Sequence, residues 1–162
     1  LQGRANLLDS GLLAVGFTLV GELEALRIPT EATPAFTDRL WEHTCFEAFL
    51  ALEQAESYLE LNLSPSTAWA AYAFDGYRSH PRKAEEMAPR IVAHVRPGRL
   101  ELHALARLPE AMQGRTLRLG LTAVVESRRG ELSYWALQHL ADRPDFHRAE
   151  SFTLALPPWV EE

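Results

Sequence analysis

Glu47 and Glu60 are the residues whose type and placing most readily suggest chemistry. They sit in segments 43–52 and 58–63, which read as two paired strands. Both then project from the face that also carries Cys45, Tyr58 and Asn62. Two facing carboxylates can act as acid and base on a glycosidic bond when their separation and pKa values suit. They can also grip a hard cation or hydrogen-bond a sugar. The plainer alternative is the solvated face of a half-exposed sheet, with Glu47 tied to a lysine or arginine. Tryptophans supply flat surfaces for a sugar or another planar ligand. Trp41, at a loop-to-strand junction, is the better candidate of the four. Trp135 shares strand parity with Ser133, Leu137 and His139, and so faces either core or cleft. Trp69 reads as core, and Trp159, after two prolines, as a tail docked on the surface.

His139 and His147 flank Asp142, Pro144 and Asp145. Such a loop could bind zinc, or one histidine could ligate haem iron, but the spacing matches no metal motif and solvated loop histidines are the simpler reading. Haem held by His and Met would need Met87 or Met112, both in expected loops. Arg78 follows Phe74-Asp75-Gly76-Tyr77 and could reach into a cleft toward a carboxylate or phosphate. A salt bridge to one of the 22 acids serves it equally well. Cys45 is the only cysteine, so no internal disulfide forms. It reads as a small buried hydrophobe, with His43 near enough in sequence to keep a reactive thiol in view. Phosphate-binding glycine loops, His-Glu-x-x-His and Gly-x-Ser-x-Gly are absent.

The elements that must position these side chains are strands, because the dominant hydrophobic period is two. Residues 14–28 read as one long strand or two around Gly21. Leu59, Leu61 and Leu63 alternate with Tyr58, Glu60 and Asn62 in the clearest strand of the chain. Further strands are expected at 69–74, 90–95, 99–107, 115–126, 131–138 and 151–156. Pro97-Gly98 and Arg128-Arg129-Gly130 mark hairpin turns. Residues 29–40 and 76–89 read as loops, the second with one helical turn at 83–87. About eight or nine short strands without a long amphipathic helix predict an all-β fold. It would be an antiparallel β-sandwich of jelly-roll or immunoglobulin-like type.

The composition agrees with one domain over 1–162. There are 162 residues, 47% apolar and 23% charged, enough to bury a core without metal or disulfide. The net charge of −6 argues against attraction to nucleic acid or an anionic membrane, which needs a basic face. No run approaches the ~18 apolar residues of a membrane span. No secretory signal is visible, which favours the cytoplasm, although the chain begins at Leu1 rather than Met.

Several blocks resemble a family. Leu40-Trp41-Glu42-His43-Thr44-Cys45-Phe46-Glu47-Ala48-Phe49, Tyr58 to Ser66 and Trp69 to Arg78 look like the bacterial DOMON-like domain proteins, as do Tyr134-Trp135-Ala136-Leu137 and Pro144-Asp145-Phe146-His147. These proteins are similar to family 9 carbohydrate-binding modules and to haem- or sugar-binding DOMON domains. The resemblance spans most of residues 17–156. It implies a β-sandwich with a ligand cleft and no established catalysis. It also implies sugars held between aromatic planes, for which Trp41, Trp135, Glu60, Asn62 and Arg78 are the matching types. Haem relatives use Met and His ligands, and the matching blocks contain no methionine, which disfavours haem. The expected function is non-catalytic binding of a carbohydrate or similar small polar ligand by Trp41, Glu47, Glu60, Asn62, Arg78, Trp135 and His139. The alternatives are an interaction domain without a small ligand, or a haem or metal module.

Overall fold

A computed structural model describes residues 1–9 and 11–160. Among the described residues eleven strands run in chain order: β1 (Gln2–Asp9), β2 (Leu12–Val20), β3 (Cys45–Leu52), β4 (Tyr58–Leu63), β5 (Trp69–Phe74), β6 (Arg82–Lys83), β7 (Arg90–Arg96), β8 (Arg99–Arg107), β9 (Leu117–Glu126), β10 (Leu132–Ala136) and β11 (Leu154–Leu156). They form two antiparallel sheets, as the hydrophobic period predicts. The small sheet has the order β1-β2-β8-β7. The large one has the order β10-β9-β3-β4-β5-β6, with β11 on the same edge of β9 as β10 but further down the strand. Only short 3₁₀ turns accompany them, and no α-helix occurs among the described residues.

The core is made by alternate residues of the facing strands. Leu13, Val15, Phe17 and Leu19 of β2 and Leu100, Leu102, Ala104 and Ala106 of β8 meet Phe46, Ala48 and Leu50 of β3, Leu59, Leu61 and Leu63 of β4 and the odd-numbered residues Leu117 to Val125 of β9. Phe17 and Phe46 touch across the sandwich with ring centroids 5.0 Å apart. All these inward positions agree with the sequence alternation. So does the β3–β4 hairpin, in which Glu47 lies opposite Asn62 and Glu60 opposite Phe49.

Three features differ from the expected layout. The segment 14–28 is not strand throughout. At Gly21 the φ is +154° and its N–H bonds to the Gly98 carbonyl, so the chain turns there into the 3₁₀ turn Leu23–Ala25. β1 and β6 are additional. Both are edge strands with polar, exposed residues, and an edge strand with little apolar surface to bury leaves a weak periodic signal. Finally, the outer face of the large sheet is not half-exposed. Every residue of β4 and nearly all of β3 are buried, because the loops 21–44, 75–81 and 137–153 fold over them.

That covering depends on Gly120. It sits opposite Phe49 on β9, and an added Cβ would meet Cδ1 of Phe152 at 2.9 Å. Phe152 stacks on Phe49 with centroids 5.6 Å apart and holds the end of the 137–153 loop to the sheet. Gly120→Ala is therefore expected to force this stack apart and to cost about 1–2 kcal/mol. In a chain of this size that is a fall of roughly 3–6 °C in the thermal midpoint, measurable by calorimetry. An unchanged midpoint would show that Phe152 does not pack as described.

Candidate functional site

The loops leave one part of this outer face open. It is a cleft of about 710 Å³. Its floor is Glu47 and Phe49 from β3, Glu60 from β4, Tyr72 and Phe74 from β5, Val124 from β9 and Tyr134 from β10. These residues share a face because the registers make Glu60 face Tyr72 and Tyr134 face Val124. The walls are loop residues: Asp38, Arg39 and Trp41 on one side, Arg78 and Pro81 on another, Pro144, Phe146 and His147 on a third. Trp41 stands edge-on to Tyr72, with centroids 5.9 Å apart, and Tyr134 lies 6.1 Å from Phe146. Trp41 and Tyr134 are 39% and 41% exposed, so each offers an uncovered ring surface. A depression of similar volume, about 760 Å³, opens around Leu23, Arg27, Val95 and Arg128, but no aromatic residue lines it.

The floor carries unusual electrostatics. Glu47 is only 2% exposed and accepts a 2.6 Å hydrogen bond from the Thr122 hydroxyl. Burial, reinforced by the nearby Glu60 charge, pushes its pKa up to about 8. Burial also raises Glu60, against the pull of the Asn62 amide, which donates to Glu60 Oε1 at 2.8 Å, and of Arg78. At neutral pH the pair thus favours retaining a proton, with Glu47 as its holder.

A relay of hydrogen bonds ties the walls to this floor. The backbone N–H of Arg78 donates to Tyr58 Oη at 3.1 Å, and the Tyr58 hydroxyl and His147 Nδ1 share a hydrogen bond of 2.7 Å. The other ring nitrogen, Nε2, faces Glu60 Oε2 at 3.7 Å. Burial, with Arg78 close by, lowers His147 to about 4, so its ring is neutral at pH 7. Asp145 locks the two loops together. Its carboxylate accepts from the Tyr77 hydroxyl at 2.7 Å, Arg78 Nη2 at 3.2 Å and Arg148 Nε at 3.3 Å. Against the cost of partial burial, the bonds from Tyr77 and Arg78 hold its carboxyl below the usual range. Asp145→Ala is expected to release Arg78 and lower the midpoint by roughly 3–6 °C, the equivalent of about 1–2 kcal/mol. A loss no larger than that of an exposed Asp142→Ala control would mean that the latch contributes nothing.

Of the residues singled out from the sequence, Trp41, Glu47, Glu60 and Arg78 are brought together in the cleft. Asn62 lies beneath it, fully buried, orienting Glu60 and taking the Cys45 thiol on Oδ1 at 3.7 Å. Trp135 is elsewhere. It faces Ala123, on the inward side of β9, and lines a small cavity with Gly3, Phe17 and Leu121. His139 is exposed beside Phe146 and does not line the cleft. Tyr134 and His147 hold the places expected for those two. The register through the Arg128-Arg129-Gly130 turn distinguishes Tyr134 from Trp135: Ser127 N bonds to Glu131 O, which puts Leu132 opposite Glu126 and turns Tyr134 to the outer face. Tyr72, Phe74 and Phe146 lie in the blocks that carry the family resemblance, but nothing in the sequence marks them as lining a cleft.

Trp69 is core, as expected, and packs edge-on against Phe36. Cys45 is wholly buried, and burial raises its thiol pKa well above the ordinary value. His43 does not reach it but pairs with Glu126 at 2.8 Å, beside Arg27. Met87 and Met112 belong to the sandwich core. No group of three His, Cys, Asp or Glu side chains able to hold a metal ion occurs among the described residues.

No family model matches the chain, and no curated protein does. Solved structures do. A family 9 carbohydrate-binding module from Caldicellulosiruptor kristjanssonii, in complex with cellotriose, superposes with a TM-score of 0.61 at 11% identity, covering 100% of this chain and 78% of that one. The fold is that of family 9 carbohydrate-binding modules. A module of this family from the same organism in complex with glucose gives a TM-score of 0.56 at 10% identity, over 100% of this chain and 80% of that one. A Bacteroides uniformis protein provisionally assigned to carbohydrate binding gives 0.68 at 14% identity, over 95% and 76%. These likenesses bear out the β-sandwich, and they support the family 9 side of the resemblance at the level of fold.

Proposed function

We propose that this chain is a non-catalytic carbohydrate-binding domain that takes a short sugar in the cleft. The ring surfaces of Trp41 and Tyr134 would pack on the sugar's apolar faces. The floor carboxyls of Glu47 and Glu60 and the Arg78 guanidinium would meet its hydroxyls. The observation that carries this reading is the composition of the cleft. Two half-exposed aromatic rings stand over buried polar groups that keep hydrogen-bonding capacity toward the opening. Sugars need that combination, because each ring has apolar C–H faces and a polar edge. The complexes of family 9 modules with cellotriose and glucose add support from the shared fold.

The reading is tested by calorimetric titration with glucose, cellobiose, cellotriose, xylobiose and mannose, with haemin, zinc and calcium as separate arms. Saturable heat from at least one sugar is expected, with the sugar recovered unhydrolysed. Heat from haemin or zinc alone would overturn the proposal, and hydrolysis of the bound sugar would overturn its non-catalytic part.

A further inference from the structure

We propose that the outer face of the small sheet is a docking surface for an acidic peptide segment carrying apolar side chains. It lies on the opposite side of the sandwich from the cleft and is independent of it. Strand alternation puts Arg4 of β1, Arg99 and Arg107 of β8 and Arg90 and Arg96 of β7 on this face. Short of Asp9, at the bulged end of β1, the only carboxylate among the outward residues of the four strands is Glu101, which Arg99 binds at 2.8 Å. No other ion pair forms on the face among the described residues. Five arginines against Glu101 and Asp9 leave the face at +3, so the remainder of a chain of net −6 carries −9. The net charge therefore excludes a basic protein but not a basic face.

A Cβ on Gly16 would come within 2.9 Å of Arg4 Nε and 3.1 Å of His103 Nδ1. Glycine there lets the Arg4 side chain lie across the sheet toward His103, at 3.5 Å. Arg96 and Arg99 are register partners at one end, while Arg90 and Arg107 mark the other. Val92, opposite His103, and Leu105, opposite Arg90, are 53% and 39% exposed. Arginines spread over a face with exposed Val92 and Leu105 among them can meet a partner whose carboxylates take the guanidinium forks and whose apolar side chains cover the two aliphatic ones.

Size and surroundings decide the occupant. Four strands ~4.8 Å apart and nine residues of ~3.3 Å span about 14 by 27 Å, or ~400 Å². That is about half of the ~800 Å² each side of a stable folded complex contributes, so an extended segment fits better than a globular partner. The chain leaving the two ends of the face carries Glu22 at one and Asp9, Glu86 and Glu110 at the other. These carboxylates would repel a duplex or a charged bilayer extending past the patch, and a duplex has no use for Val92 and Leu105.

The test is fluorescence anisotropy with a short synthetic peptide of alternating glutamate and valine, in low and physiological salt. Saturable binding is expected, weakened about tenfold or more in R90E/R107E and for the same peptide with glutamine in place of glutamate. W41A should bind the peptide as the parent does. Thermal midpoints of the variants verify folding, and R96Q/R99Q serves if R90E/R107E does not fold. Unchanged binding in the arginine variants would overturn the proposal, as would no binding at low salt. Tighter binding to heparin, duplex DNA or phosphatidylserine vesicles than to the peptide would also overturn it.

Discussion

Glu47→Gln is expected to stabilise the protein at pH 9 and to leave its stability nearly unchanged at pH 5. The Glu47 carboxyl is buried at the floor of the cleft, and its pKa rises to about 8. In the unfolded chain it returns to about 4.3. Between these values the folded state holds a proton that the unfolded state has lost, so stability falls as pH rises. The contribution is complete below about pH 4 and gone above about pH 8. The full shift corresponds to at most about 5 kcal/mol. Water entering the open cleft and relaxation around the charge reduce this, and about 2–3 kcal/mol is the expected gain for the glutamine variant at pH 9. Thermal unfolding should then show a rise of roughly 5–10 °C at pH 9. Glutamine keeps an oxygen for the Thr122 hydroxyl, so little else changes. An equal gain at pH 5 and pH 9 would mean that proton uptake by Glu47 is not its source.

Trp41→Ala and Tyr134→Ala are each expected to weaken binding of the sugar that gives heat in the titration by about thirtyfold or more, while Trp135→Ala leaves it unchanged. Thirtyfold is the ~2 kcal/mol typical of truncating a central aromatic contact. Trp41 and Tyr134 both line the cleft, and both are partly open to solvent. Their removal should therefore alter the midpoint by less than the loss of a core residue. Trp135 is equally exposed, at 47%, but its side chain turns to the inward side of β9. The adjacent pair makes a sharp control, since one residue of parity separates them. If Trp135→Ala abolished binding and the other two did not, the site would be the small cavity beside Gly3 and not the cleft.

The Glu47–Glu60 juxtaposition is legible in the sequence, because the alternation in 58–63 and the hairpin partner at 43–52 put both side chains on one face. What lies over that face is not. The outer surface of β3 and β4 reads as solvated because it carries Glu47, Glu60 and Asn62, the residues of an exposed face. Loops from distant parts of the chain bury it, and the burial moves Glu47 to a different protonation state. Trp135 and His139 are natural choices by residue type. Tyr134 and His147 line the cleft because of strand register and because of the Tyr58 hydrogen bond, and neither is a property of residue type.

Net charge shows the same division. A total of −6 points away from a basic surface, yet five arginines from three strands gather on one side of the small sheet. Local pattern alone sets the all-β class, the hairpin turns, the inward residues of most strands and the placing of Glu47 and Glu60 on one face. Each of these follows from contacts between near neighbours or from a period of two. Which aromatics share the cleft, which carboxyl loses water and how the charges sort between the faces are set by long-range packing. Those depend on which strands lie side by side and which loops cross them, and such long-range pairings leave no periodic trace in the chain.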